Sequence, residues 1–276
     1  MHYVWTFLRS FAMVTRKKKK HTSLLFLLFL TGLGITFSYM YRAEIVYVYY
    51  HLYPPKIYSG FGTELPDEYT ILGVDVSKYQ KHINWKALSD MNHQGKKLSF
   101  AFIKASEGKS LIDPLFSYNA HSGKKSRLYV GAYHFYRFNV SPSDQMQLFL
   151  QTIKEHNFSL PPVIDVETED GDDSEQIRKE LQLALEIVEN QCKRTPIIYT
   201  NPAFFKKHLA GHFSDYSFWV AHYYVKKPLI PATMNAHFWQ ITDKATVDGI
   251  QTPVDLNVFL GTNAEFMEYI SSPGDS

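Results

Sequence analysis

The chain has 276 residues, 45% of them hydrophobic and 16% aromatic, with a formal net charge of +2. That composition can bury a sizeable core, and a single domain of about 200 to 250 residues fits within it. The positive charge is local: residues 1–42 hold seven Lys or Arg and no Asp or Glu, leaving 22 basic and 27 acidic residues beyond them, a net of −5, and a mildly acidic body argues against nucleic acid as a partner.

The first element is a basic leader, residues 1–23, containing Arg16-Lys-Lys-Lys-Lys20. Residues 24–41 follow without a charge. As a helix they span about 27 Å, close to the roughly 30 Å of a hydrocarbon core. The cations precede the apolar run, so the positive-inside rule places the N-terminus in the cytoplasm and the body on the periplasmic or extracellular side. A cleaved signal peptide is the competing reading. The long leader, the lack of an Ala-x-Ala-like site and the bulky exit at Phe37-Ser-Tyr-Met-Tyr-Arg42 favour an uncleaved anchor. Residues 42–69 are Tyr-rich, contain Pro54-Pro55, Gly60 and Gly62, and show no clear period, which reads as a juxtamembrane stalk.

From residue 70 to about residue 270 the pattern changes. Apolar or aromatic runs of strand length recur at 71–77, 98–106, 129–137, 162–167, 196–200, 217–223, 237–242 and 254–259, consistent with strands buried on both faces. Helix signals lie between several of them: Asn84-Trp85, the stretch after Pro142, and Ile177, Leu181, Leu185 and Val188 at three- to four-residue spacing. Alternating strands and helices imply a parallel sheet, and eight strands suggest an α/β domain of the (β/α) barrel type. The single cysteine, Cys192, has no intramolecular disulfide partner and falls in a helical pattern.

In such a barrel the site gathers at the C-terminal ends of the strands, and there the acids fall. The run Pro161-Pro-Val-Ile-Asp165-Val-Glu167 delivers two carboxylates two residues apart, on one face of a strand, with Cα atoms about 6.5 to 7 Å apart. Asp75 and Asp255 lie on the first and last runs, and Lys104-Ala-Ser-Glu107 on the second. Crowded carboxylates repel, so one holds its proton while a neighbour stays charged, as cleavage of a glycosidic bond requires. Tyr133, Phe135, Tyr199, Trp219 and Tyr223 accompany them as candidate platforms for sugar rings, and Gln240 and Asn257 as partners for hydroxyls.

Several of these segments support a resemblance. Gly73-Val-Asp-Val-Ser-Lys-Tyr-Gln80, Phe102-Ile-Lys-Ala-Ser-Glu-Gly108, Asp113-Pro-Leu-Phe116, Gly131-Ala-Tyr-His-Phe-Tyr-Arg137, Asp165-Val-Glu167, Trp219-Val-Ala-His-Tyr223 and Val254-Asp-Leu-Asn257 resemble, in order, the motifs of the glycoside hydrolase family 25 lysozymes. The resemblance covers about residues 70 to 262. It implies cleavage of the β-1,4 bond between N-acetylmuramic acid and N-acetylglucosamine in peptidoglycan, with Glu167 as general acid. Asp165 is implied as its neighbour, tuning the proton or helping the acetamido group. Asp75 and Asp255 are implied in the same pocket, as electrostatic stabilisers or as base. Lys104 and His222 stand where the family more often has Arg.

No His-Glu-x-x-His spacing, Gly-x-Ser-x-Gly elbow or phosphate-binding loop occurs, so neither metal nor cofactor is expected. Two rivals remain: an inactive membrane-anchored glycan-binding protein, and a glycosidase acting on another N-acetylhexosamine polymer.

Overall fold

The computed structural model describes residues 57–58, 60–171 and 173–271, together with Thr31. All but Thr31 belong to the second of two compact units, Lys56–Ser276. Apart from Thr31, the expected leader and the expected anchor at 24–41 lie outside the described residues; among the described residues, no helix is long and apolar enough to cross a membrane.

A small hairpin, β1 (Ile57–Tyr58) and β2 (Thr63–Glu64), comes first. Eight strands then build the barrel: β3 (Leu72–Val76), β4 (Leu98–Glu107), β6 (Tyr129–Phe135), β7 (Val163–Asp165), β8 (Ile197–Thr200), β9 (Ser217–Ala221), β10 (Ala236–Ala245) and β11 (Val254–Phe259). β5 (Leu111–Ile112) pairs antiparallel with the end of β4. The order around the barrel is β3-β11-β10-β9-β8-β7-β6-β4, and β4 closes back onto β3. Each strand lies within or across one of the apolar runs of the sequence, because both of its faces are covered.

One strand departs from the parallel pattern. β11 runs antiparallel to both neighbours, β10 and β3. Residues 246–253 alone join β10 to β11, too short a link for a crossover, which takes a dozen or more residues. The chain therefore returns as a hairpin.

The outer layer is made of α1 (Trp85–Asp90), α2 (Phe116–Lys125), α3 (Pro142–Ile153) and α4 (Ser174–Cys192). α4 buries Ile177, Leu181, Ala184, Leu185 and Val188 against the barrel. Its N-terminus is capped by Asp173, which accepts from the backbone N–H groups of Glu175 and Gln176 and satisfies donors the helix leaves free. Between β8 and β9 the chain makes only α5 (Pro202–Phe204) and a π-turn at Phe205–Leu209. α6 (Asn263–Ser271) closes the base of the barrel: Phe266 packs on Phe100 and Phe259 at ring distances of 5.9 and 5.1 Å.

Inside, the barrel is filled from below. Phe100, Phe102, Val163, Ile197, Phe238 and Phe259 form one buried cluster with Trp219. Two of the strands make room for these rings with glycine. A Cβ on Gly73 would lie 2.3 Å from the Phe100 ring, and one on Gly131 would lie 2.8 Å from Phe102. The polar ends of the strands are thereby left as the top layer.

The segment expected to form a stalk contributes to this body at its C-terminal end. Phe61 and Leu65 are buried in the main core, and the Thr246 N–H donates to the Phe61 carbonyl at 2.9 Å. The Tyr, Pro and Gly content around them hid two anchoring side chains spaced too far apart to give a period.

The Gly73→Ala substitution forces the Phe100 ring to move in a packed interior, so it is expected to cost about 1 to 3 kcal/mol of stability. Urea unfolding of the full-length chain and of the variant measures it.

Candidate active site

The top of the barrel is a ring to which every strand contributes: Asp75 from β3, Asp255 and Asn257 from β11, Gln240 from β10, Trp219 from β9, Tyr199 from β8, Asp165 from β7, Tyr133 from β6 and Lys104 from β4. Above it opens a cleft of about 260 Å³, lined by the four candidate acids Asp75, Asp165, Glu167 and Asp255 and by Tyr133, Phe135, Tyr199, Trp219, Tyr223 and Gln240. All ten candidate site residues thus meet in one place. The acids of β7 and β3 arrive at strand C-termini, as a parallel barrel dictates. Asp255 does not: it is the second residue of β11, and only the antiparallel course of that strand brings it up, directly opposite Asp75. Glu167 lies two residues past the end of β7, on a segment still held by the Val166 N–H to Tyr199 carbonyl bond at 2.9 Å.

Asp75 is the most heavily supported of the acids. Its Oδ2 accepts from Gln240 Nε2 at 2.7 Å and from Asn257 Nδ2 at 2.8 Å. Those amides are themselves fixed. Gln240 Oε1 accepts from the hydroxyls of Tyr199 and Tyr223 at 2.8 and 2.6 Å, and Asn257 Oδ1 accepts from Trp219 Nε1 at 2.8 Å. The donors on the far side settle which end of each amide faces Asp75. Burial, together with repulsion from the nearby acids, raises both Asp75 and Asp255, but the two amide bonds pull Asp75 back toward its ionised form. Asp255 has no comparable side-chain donors, so the proton of the pair resides there.

Asp165 is buried and its Oδ1 has no hydrogen-bond partner. Burial, and then the charge of Glu167, holds its carboxyl well above the usual range. Glu167 is half-buried at the rim, and burial raises it too, against the pull of Lys104 and Arg137. Tyr133 and Tyr199 are pushed up by burial and by the surrounding acids, so their phenols remain protonated donors.

Two expectations change. Trp219 is only 2% exposed, with one face stacked on Phe102 at 4.6 Å and Tyr199 edge-on at 4.6 Å. With one face taken by Phe102 and so little surface exposed, Trp219 forms the floor of the cleft and orients Asn257. Glu107, one of the strand-end acids, is not in the cleft. Burial would raise it, but hydrogen bonds and ion pairs with Lys104 and Arg137, both at 2.7 Å, outweigh that and lower it. It is an ionised strut that holds the two cations beneath Phe135, whose ring lies 4.8 and 4.6 Å from them.

Sequence reasoning gave Lys104 no role in the site and did not foresee the rim. Ser77 and Gln80 form a capping box around the single turn Lys78–Gln80, the signal being a Ser-x-x-Gln spacing. That turn lifts Tyr79 to the cleft edge. Asp113 is buried and accepts from the Lys78 and Leu115 backbone N–H groups, a purely structural role. The acidic loop after Glu167 is tied down: Asp170 meets Arg137, and Glu169 meets Lys207 and His208. His222 accepts from the Leu229 N–H and shapes the loop after β9. Among the described residues, no group of three His, Cys, Asp or Glu side chains is placed to hold a metal ion.

Comparison with known proteins gives a consistent answer. Residues 74–250 match the glycosyl hydrolases family 25. An Escherichia coli K12 protein described as "Uncharacterized protein YegX" is 39% identical over 260 residues, spanning 92% of this chain and 95% of its own length. Lysozyme M1 of Streptomyces globisporus is 29% identical, over 78% of this chain and 81% of that one. Among solved structures, a family 25 glycosyl hydrolase from Bacillus anthracis matches with a TM-score of 0.67 at 32% identity, covering 74% of this chain and 94% of the other. Since the matched residues run from the strand bearing Asp75 to the hairpin before Asp255, the barrel and most of its acidic mouth fall inside the similarity, and the chain belongs to glycosyl hydrolase family 25.

Proposed function

We propose that this protein is a peptidoglycan hydrolase of the muramidase type, cleaving the β-1,4 bond between N-acetylmuramic acid and N-acetylglucosamine. The observation that carries the reading is the division of labour among the acids: an ionised Asp75 held by two amides, beside Glu167 and Asp165 whose carboxyls are biased toward keeping their protons. Relatives named as lysozymes support the choice of polymer.

Glu167 is the acid best placed to act, because it is less buried than Asp165 and lines the open cleft where a leaving oxygen can reach it. Its carboxyl proton passes to the glycosidic oxygen as the bond to the anomeric carbon breaks. Asp75 faces the positive charge that develops on the sugar, and its fixed amide donors mean that no reorganisation is needed as that charge appears. Asp165, which lines the cleft beside Glu167, is the partner this reading assigns to the N–H of the 2-acetamido group. A water then adds its oxygen to the anomeric carbon, and its released proton replaces the one Glu167 gave up. Lys104, ion-paired to Glu107 at 2.7 Å, counteracts the rise of Glu167. Tyr133, Phe135 and Tyr223, half-buried around the opening, remain available to sugar rings and hydroxyls where Trp219 is not.

The same proposal includes residues 24–41 as a single membrane anchor, N-terminus in the cytoplasm, with the barrel acting on the periplasmic or extracellular side. The charge-free run after five consecutive basic residues supports it. A tethered hydrolase works close to the bilayer, which suits local remodelling or turnover of the wall.

The direct test is to incubate the detergent-solubilised full-length chain and its Glu167→Gln form with peptidoglycan and to read the reducing ends of released fragments by mass spectrometry. Ends in N-acetylmuramic acid are expected, with a loss of roughly 10²- to 10⁴-fold in rate for the variant. Ends in N-acetylglucosamine, or retention of the glycan without release by the parent, would sink the muramidase reading. For the anchor, the chain is expected to stay with membranes through an alkaline carbonate wash, and its release would refute the span.

A further inference from the structure

One wall of the cleft differs in chemistry from the rest. Ser77, Tyr79 and Gln80, on the turn after β3, line the opening. That turn is stitched to the segment following β4: the Lys78 N–H donates to Asp113 Oδ2 at 2.8 Å, and the Tyr118 hydroxyl donates to the Ile83 carbonyl at 2.9 Å. The two segments form one continuous surface. It exposes Lys78, Lys81 and Lys109, with Tyr79 70%, Ile112 50% and Leu111 39% exposed.

Residues 78–82 and 108–112 contain no acid. The carboxylates that flank these segments are already engaged: Asp113 is buried with both oxygens taken by backbone donors, Glu107 is ion-paired to Lys104 and Arg137, and Asp75 accepts from Gln240 and Asn257. Among the described residues, none of the three lysines has a carboxylate within ion-pair distance. The loop after β7, on another side of the mouth, has no Lys or Arg from residue 167 to 177 and holds Glu167, Glu169, Asp170 and Asp173, with Asp170 and Glu169 offset in part by Arg137 and Lys207. A molecule lying across the opening therefore meets a field with a direction: anionic parts are drawn toward β3 and β4 and away from β7.

A glycan strand has one feature that such a field can sort. The peptide stem hung from the lactyl group of N-acetylmuramic acid carries free carboxylates and aliphatic side chains, whereas the sugar backbone is neutral. We propose that the wall formed by Lys78, Lys81 and Lys109 with Tyr79, Leu111 and Ile112 docks the carboxylate-bearing peptide stem of the strand being cut. The inference rests on the muramidase reading above and adds the recognition element: the lysines take the carboxylates, and the exposed apolar side chains take the aliphatic residues. Lys78 Nζ lies 5.3 Å from the Tyr79 ring centroid, so the cation and the aromatic face are presented together at the cleft edge. The wall favours stem-bearing strands over stripped ones and over neutral polymers of N-acetylglucosamine.

The test compares the full-length chain with its Lys78→Ser, Lys81→Ser, Lys109→Ser triple variant on peptidoglycan and on the same strands after an amidase has removed the stems and the lactyl carboxylates it frees have been capped as neutral methyl amides. For exposed charges of this number, the parent is expected to show a kcat/KM ratio of about tenfold in favour of stem-bearing strands. In the triple variant that ratio falls toward one, and in the parent it falls with rising salt, as screening of surface charges requires. An unchanged ratio in the triple variant, or a parent indifferent to stems, overturns the proposal. Turnover of neither substrate by the parent defeats the muramidase reading alone. Co-sedimentation of the Glu167→Gln chain, with and without the three lysines, then decides: a preference for stem-bearing strands that vanishes with the lysines supports the wall, and equal binding to both strands refutes it.

Discussion

Asp75 stays ionised among other acids because two amides, from Gln240 and Asn257, donate to one of its oxygens. Much else at the barrel mouth follows from that constraint. A carboxylate removed from water needs donors, and neutral side-chain amides supply them without a counter-charge that would draw protons from neighbouring acids. An amide, however, must present the correct end. Tyr199, Tyr223 and Trp219 ensure this by donating to the amide oxygens. Three of the aromatics that resemble sugar platforms therefore spend their polar atoms on orientation.

The network also explains the geometry below it. Gln240 and Asn257 are paired across the hairpin of β10 and β11, and Asn257 is paired with Gly73 on β3. They reach Asp75 because β11 returns antiparallel, which also sets Asp255 opposite Asp75. Beneath them, Phe100, Phe102 and Phe238 fill the barrel, and Gly73 and Gly131 admit those rings. A rigid apolar plug under a polar ring is what allows the ring to hold acids at fixed spacing. On the rim, Glu107 performs the opposite task to the cleft acids, staying ionised so that Lys104 and Arg137 remain near Glu167.

Much of this was legible in the chain. The eight runs found their strands because strands buried on both faces are continuous apolar segments, and the four acids found one cleft because a barrel collects strand ends. The direction of β11 was not legible as such, since an apolar run has no orientation; the short link from β10 was its one signal. Trp219 could not be told from a platform, because the sequence does not reveal that Phe102 covers its face. Glu107 looked like a cleft acid because its partner Arg137 lies thirty residues away. Phe61 and Leu65 escaped notice because two isolated apolar residues make no period.

Asp75 gives up its proton before Asp255 does, for the reason that Gln240 and Asn257 donate to it. Carboxyl-carbon NMR titration of the full-length chain, with Asp75 and Asp255 assigned by substitution, measures the order directly. The expected result is that Asp75 ionises at lower pH than Asp255 and that Asn257→Leu, by removing one donor, moves the Asp75 titration to higher pH. Ionisation of Asp255 first, or an Asp75 titration indifferent to the loss of Asn257, would contradict the central claim.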